Sequence, residues 1–414
     1  LNNKKIYHFI ENTLSLFSVK AIDLVIAIFL IPYLILKVGI ENYGVYAFAI
    51  ALVFFFMNIS NYGFNLVAVR ELAKPEDKRS YNSVFNEVFS VKLFIIVFLL
   101  LLLVILNFIV PSFRSHSLLY VFASFLLLSD LFSLRWFFIG VEKMKFLPII
   151  SLVATLIYAL LVILFINEPK DYIYIILFEA IGLLVAGGIS FFYVIQEYEL
   201  SIKILSFKKV SAYLYNNFSS FINLFVPSVL SNLAVLLVGM FSIPIHVSYM
   251  QLGVKFSNAF STVNSIVTKV FYPIVNRDSK VRKISVRTLL IMGVLFSVVM
   301  FFSADLLVKP WLKLDNEESI NQVTFIIKIM SPTPLLMSII SAYGVNGLLV
   351  LGKDKLFGFI TISSVLVGLL IGALGFINYG YLGAAIFLIA ARFVYALLSF
   401  WLFTKKTAHS TLKK

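Results

Sequence analysis

Twelve stretches of about twenty mostly apolar residues dominate this chain. They lie at roughly 12–36, 44–66, 84–110, 117–139, 147–166, 172–195, 217–241, 246–270, 286–308, 322–351, 357–377 and 381–403. Wound as a helix rising 1.5 Å per residue, twenty such residues match the ~30 Å hydrocarbon core of a bilayer. Of the 414 residues, 61% are hydrophobic and 13% charged, against about a half and a quarter in typical soluble domains. That balance excludes an aqueous globular enzyme, which could not hide so much apolar surface, and an intrinsically disordered chain. The first stretch carries Lys20 and Asp23 and lacks a small-residue cleavage pattern, so it reads as a span and not as a signal peptide.

The basic residues alternate with the stretches. One set of alternate flanks holds 23 of the 34 Lys and Arg residues and the other set holds five. Cytoplasmic loops carry such an excess, so twelve spans with both termini cytoplasmic are expected. The net charge of +14 is thereby divided among seven separate flanks, which argues against a nucleic-acid surface. No connection exceeds roughly twenty residues, so there is no soluble catalytic module. Cysteine is absent and the four histidines (His8, His116, His246, His409) are far apart. No nucleophile–base constellation or metal motif is present, and neither an enzyme nor a bound cofactor or metal is expected.

A longer basic connection near the midpoint suggests six spans plus six. Tyr46 and Tyr249 each open the second span of a half, and Pro32 and Pro227 interrupt the first. Repeated halves with broken helices are common in secondary transporters, although Pro and Tyr are frequent enough in membrane helices for chance to explain the match. Pro332 and Pro334 break the tenth stretch. Gly368, Gly372 and Gly375 form a small-residue stripe in the eleventh, a device for close helix packing.

Several segments resemble one family. They are Ile31-Pro32-Tyr33, the run Gly39-Ile40-Glu41-Asn42-Tyr43-Gly44-Val45-Tyr46, and the segment from Asn61-Tyr62-Gly63-Phe64 through Arg70-Glu71-Leu72-Ala73. Trp136-Phe137-Phe138-Ile139-Gly140-Val141-Glu142-Lys143-Met144 and Gly380-Tyr381-Leu382-Gly383-Ala384-Ala385 follow in order. Together they resemble the bacterial O-antigen and capsule repeat-unit flippases of the Wzx type, within the multidrug/oligosaccharidyl-lipid/polysaccharide (MOP) exporters. The resemblance implies an all-α integral membrane protein with twelve transmembrane helices in two six-helix lobes, set in a MATE-like V. On that plan residues 1–200 form the N-terminal lobe, 201–216 a cytoplasmic linker and 217–414 the C-terminal lobe. It also implies a cargo, an undecaprenyl-pyrophosphate-linked oligosaccharide carried to the outer leaflet of the bacterial inner membrane. Membrane lipids, the polysaccharide polymerase and the chain-length regulator are the partners it implies. This chain departs from the family pattern at Asn61 and Arg392, where acidic residues are frequent.

Charges inside the stretches are the candidate site. Six are basic (Lys20, Lys92, Lys255, Lys269, Lys328, Arg392) and three are acidic (Asp23, Asp130, Glu179). At about 3 kcal/mol each, nine such charges facing lipid would cost roughly 27 kcal/mol. Some must therefore pair, snorkel or line a wet cavity. Lys269 reads as snorkelling, and Lys92 and Lys328 are near enough to an interface to do the same. Lys20 and Asp23, spaced i, i+3, can neutralise each other, and Asp130 can form an internal pair. Lys255 and Arg392 lie deepest. The basic excess suits an anionic cargo, with Lys20, Lys255, Arg392, Lys92, Lys328 and Arg70 as candidate contacts to phosphate and acidic sugars. Asp23, Asp130 and Glu179 are candidates for proton or sodium coupling. Tyrosines such as Tyr249 are candidates for stacking on sugars.

The expected mechanism is alternating access through a cationic cleft. Three rivals fit less well. A polymerase or ligase needs a large outer loop, a multidrug exporter an acidic cleft for organic cations, and a lipid II flippase two further spans.

Overall fold

The computed structural model describes residues 3–73, 78–277, 281–312 and 316–411. All regular elements among them are helical. In order they are α1 (Asn3–Val38), α2 (Ile40–Ser60), α3 (Phe64–Leu72), α4 (Lys78–Ile109), α5 (Pro111–Arg114), α6 (Ser117–Ser129), α7 (Arg135–Gly140) and α8 (Phe146–Phe165). Then come α9 (Tyr172–Glu197), α10 (Phe207–Phe241), α11 (Pro244–Arg277), α12 (Val281–Leu312), α13 (Glu317–Met330) and α14 (Thr333–Ile339). A π-helix, Ile340–Leu349, continues α14, and α15 (Asp354–Tyr379) and α16 (Gly383–Thr411) close the chain. Many of these segments are rich in Ile, Val and Phe, residues with no special preference for helix in water. In a bilayer the backbone has no water to bond with, so the helix, which satisfies itself, becomes the default.

Each of the twelve apolar stretches lies on one of these helices or on a consecutive group of them. Eight helical stretches among the described residues are long and apolar enough to cross a membrane. A ninth counts if Ser220–Val226 and Ser228–Phe241, which meet at Pro227, are one broken span. The protein is therefore an all-helical, multi-pass membrane protein with eight or nine candidate spans. Of the remaining stretches, α1 offers only the shorter apolar segment Leu24–Val38. α11 is interrupted by Gln251, Lys255, Asn258, Asn264 and Lys269, which lower its apolar content. α15 and α16 are counted as one stretch, Asp354–Lys405, although Gly380 turns the chain back between them.

By internal contacts the chain forms two compact units, Leu1–Val229 and Leu230–Lys414. In the first, an aromatic core joins α4, α7 and α9. Phe85, Trp136, Phe137, Phe138 and Phe191 are all buried there, and Phe85 packs on Trp136, Phe137 and Phe191. Gly140 lets α7 approach α3, since a Cβ there would stand 2.7 Å from the Leu72 side chain. The motif at Asn61–Phe64 is a turn. Tyr62 and Gly63 both take positive φ, 31° and 80°, so Gly63 supplies the left-handed conformation that starts α3. The Tyr62 ring stacks on Phe221 of α10 with centroids 4.5 Å apart, and its hydroxyl donates to the Leu214 carbonyl at 2.9 Å. On α4, Asn82, Asn86 and Ser90 recur every fourth residue and bind the backbone of residues 201–205. The start of the connection before α10 is thereby strapped to a helix.

In the second unit the glycine stripe does what its spacing predicts. A Cβ on Gly368 would lie 2.6 Å from Ala391 Cβ, and one on Gly372 would lie 2.5 Å from Phe387 Cβ. The α15–α16 hairpin closes on that stripe. Gly372→Leu is expected to force the pair apart and cost about 1–3 kcal/mol or more, read as a drop in the melting temperature of detergent-solubilised protein. Gly188→Ala, at a helix-interior position with open space around it, serves as the control and should leave melting unchanged or raise it slightly.

Candidate functional site

Membrane-embedded charges stay where they are only if something compensates them. In the first unit Lys92 of α4 and Asp130, which follows α6, compensate each other. The Lys92 ammonium sits 3.0 Å from the Asp130 carboxylate, and their side chains are 2% and 8% exposed. Ser60, the last residue of α2, donates its hydroxyl to the same carboxylate. Three helices thus converge on one neutral cluster. Lys92 is an internal partner here and does not snorkel, and Asp130 forms the internal pair anticipated for it.

Glu179 of α9 is half-buried and accepts a hydrogen bond from the Tyr46 hydroxyl at 3.1 Å. The Tyr158 hydroxyl lies 3.5 Å from that of Tyr46. Tyr43 tilts against Tyr46, with ring centroids 5.9 Å apart. A carboxylate ringed by phenols is a polar centre that periodicity could not reveal, because the tyrosines come from α2 and α8. Arg70 is exposed near the end of α3. The side chains of Lys20 and Asp23 lie outside the described residues.

In the second unit Lys328 of α13 pairs with Asp305 of α12 at 2.7 Å and lies over the Phe301 ring. Asp305 belongs to the ninth apolar stretch, and the sequence reading left it out of the acidic set. It lies three residues from the end of that stretch. Counting Asp305 lowers the basic excess inside the stretches by one, and Lys92 and Lys328 are each paired with a carboxylate. Lys255 and Lys269 are exposed on α11. Tyr249 is buried, its hydroxyl 2.9 Å from that of Ser319, so in this conformation it faces protein and not a sugar.

Arg392 of α16 differs from the lysines. It is 5% exposed, and its guanidinium donates to the Thr333 hydroxyl at 2.9 Å and the Ser231 hydroxyl at 3.0 Å. No carboxylate among the described residues pairs with it. Thr333 stands at the break between α13 and α14. There Pro334 has no N–H to give the Met330 carbonyl, and the C-terminal end of α13 presents the negative end of its dipole. Just beyond the break the chain winds into the π-helix Ile340–Leu349, a rare form frequently found at functional sites. Asn346 within it is fully buried and donates to Ser285 Oγ at 3.1 Å and to the Thr268 carbonyl at 3.4 Å. Among the described residues no three His, Asp or Glu side chains gather as a metal site would require.

Known proteins agree with this architecture. The chain is 28% identical over 393 residues to a protein of Escherichia coli (strain K12) named "Putative O-antigen transporter", covering 92% of this chain and 93% of that protein. Its fold is similar to that of the lipid II flippase MurJ in an inward-closed conformation, with a TM-score of 0.74 at 15% identity over 96% of this chain and 87% of that one. It is also similar to a eukaryotic MATE transporter, with a TM-score of 0.67 at 14% identity over 97% and 95% of the two chains. The fold is thus MATE-like. The polysaccharide biosynthesis protein family matches residues 9–277, about two-thirds of the sequence, and the chain belongs to that family of transporters.

Proposed function

We propose that this protein flips a polyprenyl-pyrophosphate-linked oligosaccharide repeat unit, of O-antigen or capsule, from the inner to the outer leaflet of the bacterial inner membrane. The observation that carries this reading is the similarity to the Escherichia coli protein along 93% of that protein's length, in a fold shared with a lipid-linked-sugar flippase. The buried polar centres support it. A scaffold meant only to pack would have no use for Arg392 or for the Glu179 cluster at membrane depth.

The working cycle is alternating access by twelve spans in two lobes, with both termini cytoplasmic. The charged head group crosses through a wet path while the polyprenyl tail stays in lipid. An inside-negative potential favours outward movement of an anion by about 2.3 kcal/mol per charge per 100 mV. If a proton or sodium ion is exchanged, Glu179 is the better carrier, because Asp130 is already neutralised by Lys92. The polymerase and chain-length regulator would act on the delivered unit.

The test is lipid-linked oligosaccharide in cells. Deleting the gene should pile up undecaprenyl-linked repeat units on the cytoplasmic face, and restoring it should clear them. If deletion leaves the units flipped and alters only drug sensitivity or polymer length, an exporter or polymerase role takes its place.

A further inference from the structure

Two adjoining cavities in the second unit have opposite character and share one residue. The first, of about 710 Å³, is lined by Arg282, Lys283 and Arg287 with Leu290 of α12 and Phe403 of α16. Lys283 and Arg287 are one turn apart and share a face of α12, and Arg282 lines the cavity beside them. The second, of about 300 Å³, is apolar and is lined by Leu290, Tyr343, Phe393, Leu397 and Phe400. Leu290 joins the two. Phe393, Leu397 and Phe400 are each more than two-fifths exposed. Arg282 lies over the Phe403 ring at 5.6 Å, and its Nε is buried with no hydrogen-bond partner among the described residues. No carboxylate among those residues pairs with any of the three cations.

We propose that this composite groove binds an anionic phospholipid, with its phosphate on Arg282, Lys283 and Arg287 and its acyl chain along Tyr343, Phe393, Leu397 and Phe400. Charge complementarity selects the occupant. Three cations at the end of a membrane helix attract a net anionic head group, and the guanidinium forks match phosphate oxygens. A free anion would satisfy the basic cavity but leave the apolar one without purpose. A cationic or neutral apolar molecule would fill the second cavity and leave the Arg282 Nε unmatched. The groove belongs to one unit alone.

The test uses the full-length protein, purified and delipidated, with binding counted by native mass spectrometry and followed by thermal melting. Phosphatidylglycerol is expected to bind at least tenfold tighter than phosphatidylcholine and to raise the melting temperature. Arg282→Gln with Arg287→Gln should erase that preference, whereas Lys353→Gln, an exposed charge elsewhere, should not. Leu397→Trp, which fills the apolar cavity without altering charge, should weaken binding as well, and it keeps the test decisive if the double variant fails to fold. Equal binding of both phospholipids by the wild type overturns the proposal. Inorganic phosphate competing fully, with Leu397→Trp harmless, would make this a free-anion site. Polyprenyl phosphate binding where phosphatidylglycerol does not would assign the groove to the cargo. Either result overturns the phospholipid reading.

Discussion

Asp130→Ala should destabilise the protein by about 3–5 kcal/mol, the usual cost of orphaning one member of a buried ion pair. The Lys92 ammonium would keep its burial and lose the carboxylate 3.0 Å away. Lys92→Met should cost somewhat less, because Ser60 still donates to the stranded carboxylate. Lys92→Met combined with Asp130→Ala removes both charges and should be more stable than Asp130→Ala alone. Unfolding by SDS titration in mixed micelles measures all four proteins, and a coupling of about 2 kcal/mol or more is expected. Strictly additive single effects would mean that the pair contributes no mutual stabilisation.

Arg392→Leu should behave in the opposite way. Its guanidinium is buried with two hydroxyls and no described carboxylate, and arginine cannot shed its charge to escape. Removing it relieves a desolvated cation, so melting should stay the same or rise. Transport should fall at least tenfold, seen as accumulated lipid-linked repeat units at equal protein abundance. Arg392→Lys keeps the charge but not the fork that reaches Thr333 and Ser231 together, and should recover only part of the activity. A fall in melting that parallels the loss of transport would instead make Arg392 a fastener of the broken α13–α14 segment. The contrast between the two residues is physical. A paired charge is held by its partner, whereas an unpaired one persists only where its field or its donors are used.

The helices were legible because their signal is composition over twenty residues, which survives errors of several positions at each edge. The Gly368–Gly372–Gly375 stripe was legible too, since close approach needs small residues at one fixed spacing. The charged centres were only half legible. Lys92 and Asp130 could each be seen as costly, but their pairing joins α4 to the end of α6 and obeys no sequence period. Asp305 pairs with Lys328 across α12 and α13, and no sequence period ties the two together. Tyr43 and Tyr46 stood out locally in the Gly39–Tyr46 run, but their convergence with Tyr158 of α8 on Glu179 obeys no sequence period. Two of the segments that carry the family resemblance are packing devices: Trp136, Phe137 and Phe138 fill a core, and Tyr62-Gly63 makes a turn against α10. The run Gly39–Tyr46 instead supplies Tyr43 and Tyr46 to the Glu179 cluster.

The Lys92–Asp130 pair also imposes an order on biogenesis. The ribosome delivers Lys92 about forty residues before Asp130, a delay of roughly two to eight seconds at 5–20 residues per second. During that interval α4 must enter the bilayer with a lone ammonium, which costs about 3 kcal/mol on insertion scales. The chain meets this with the most apolar of its candidate spans, whose run from Phe94 to Ile109 is interrupted by a single polar residue, Asn107. The apolar run on α4 thus offsets the cost of inserting Lys92 before its partner on the far side of α6 has been made.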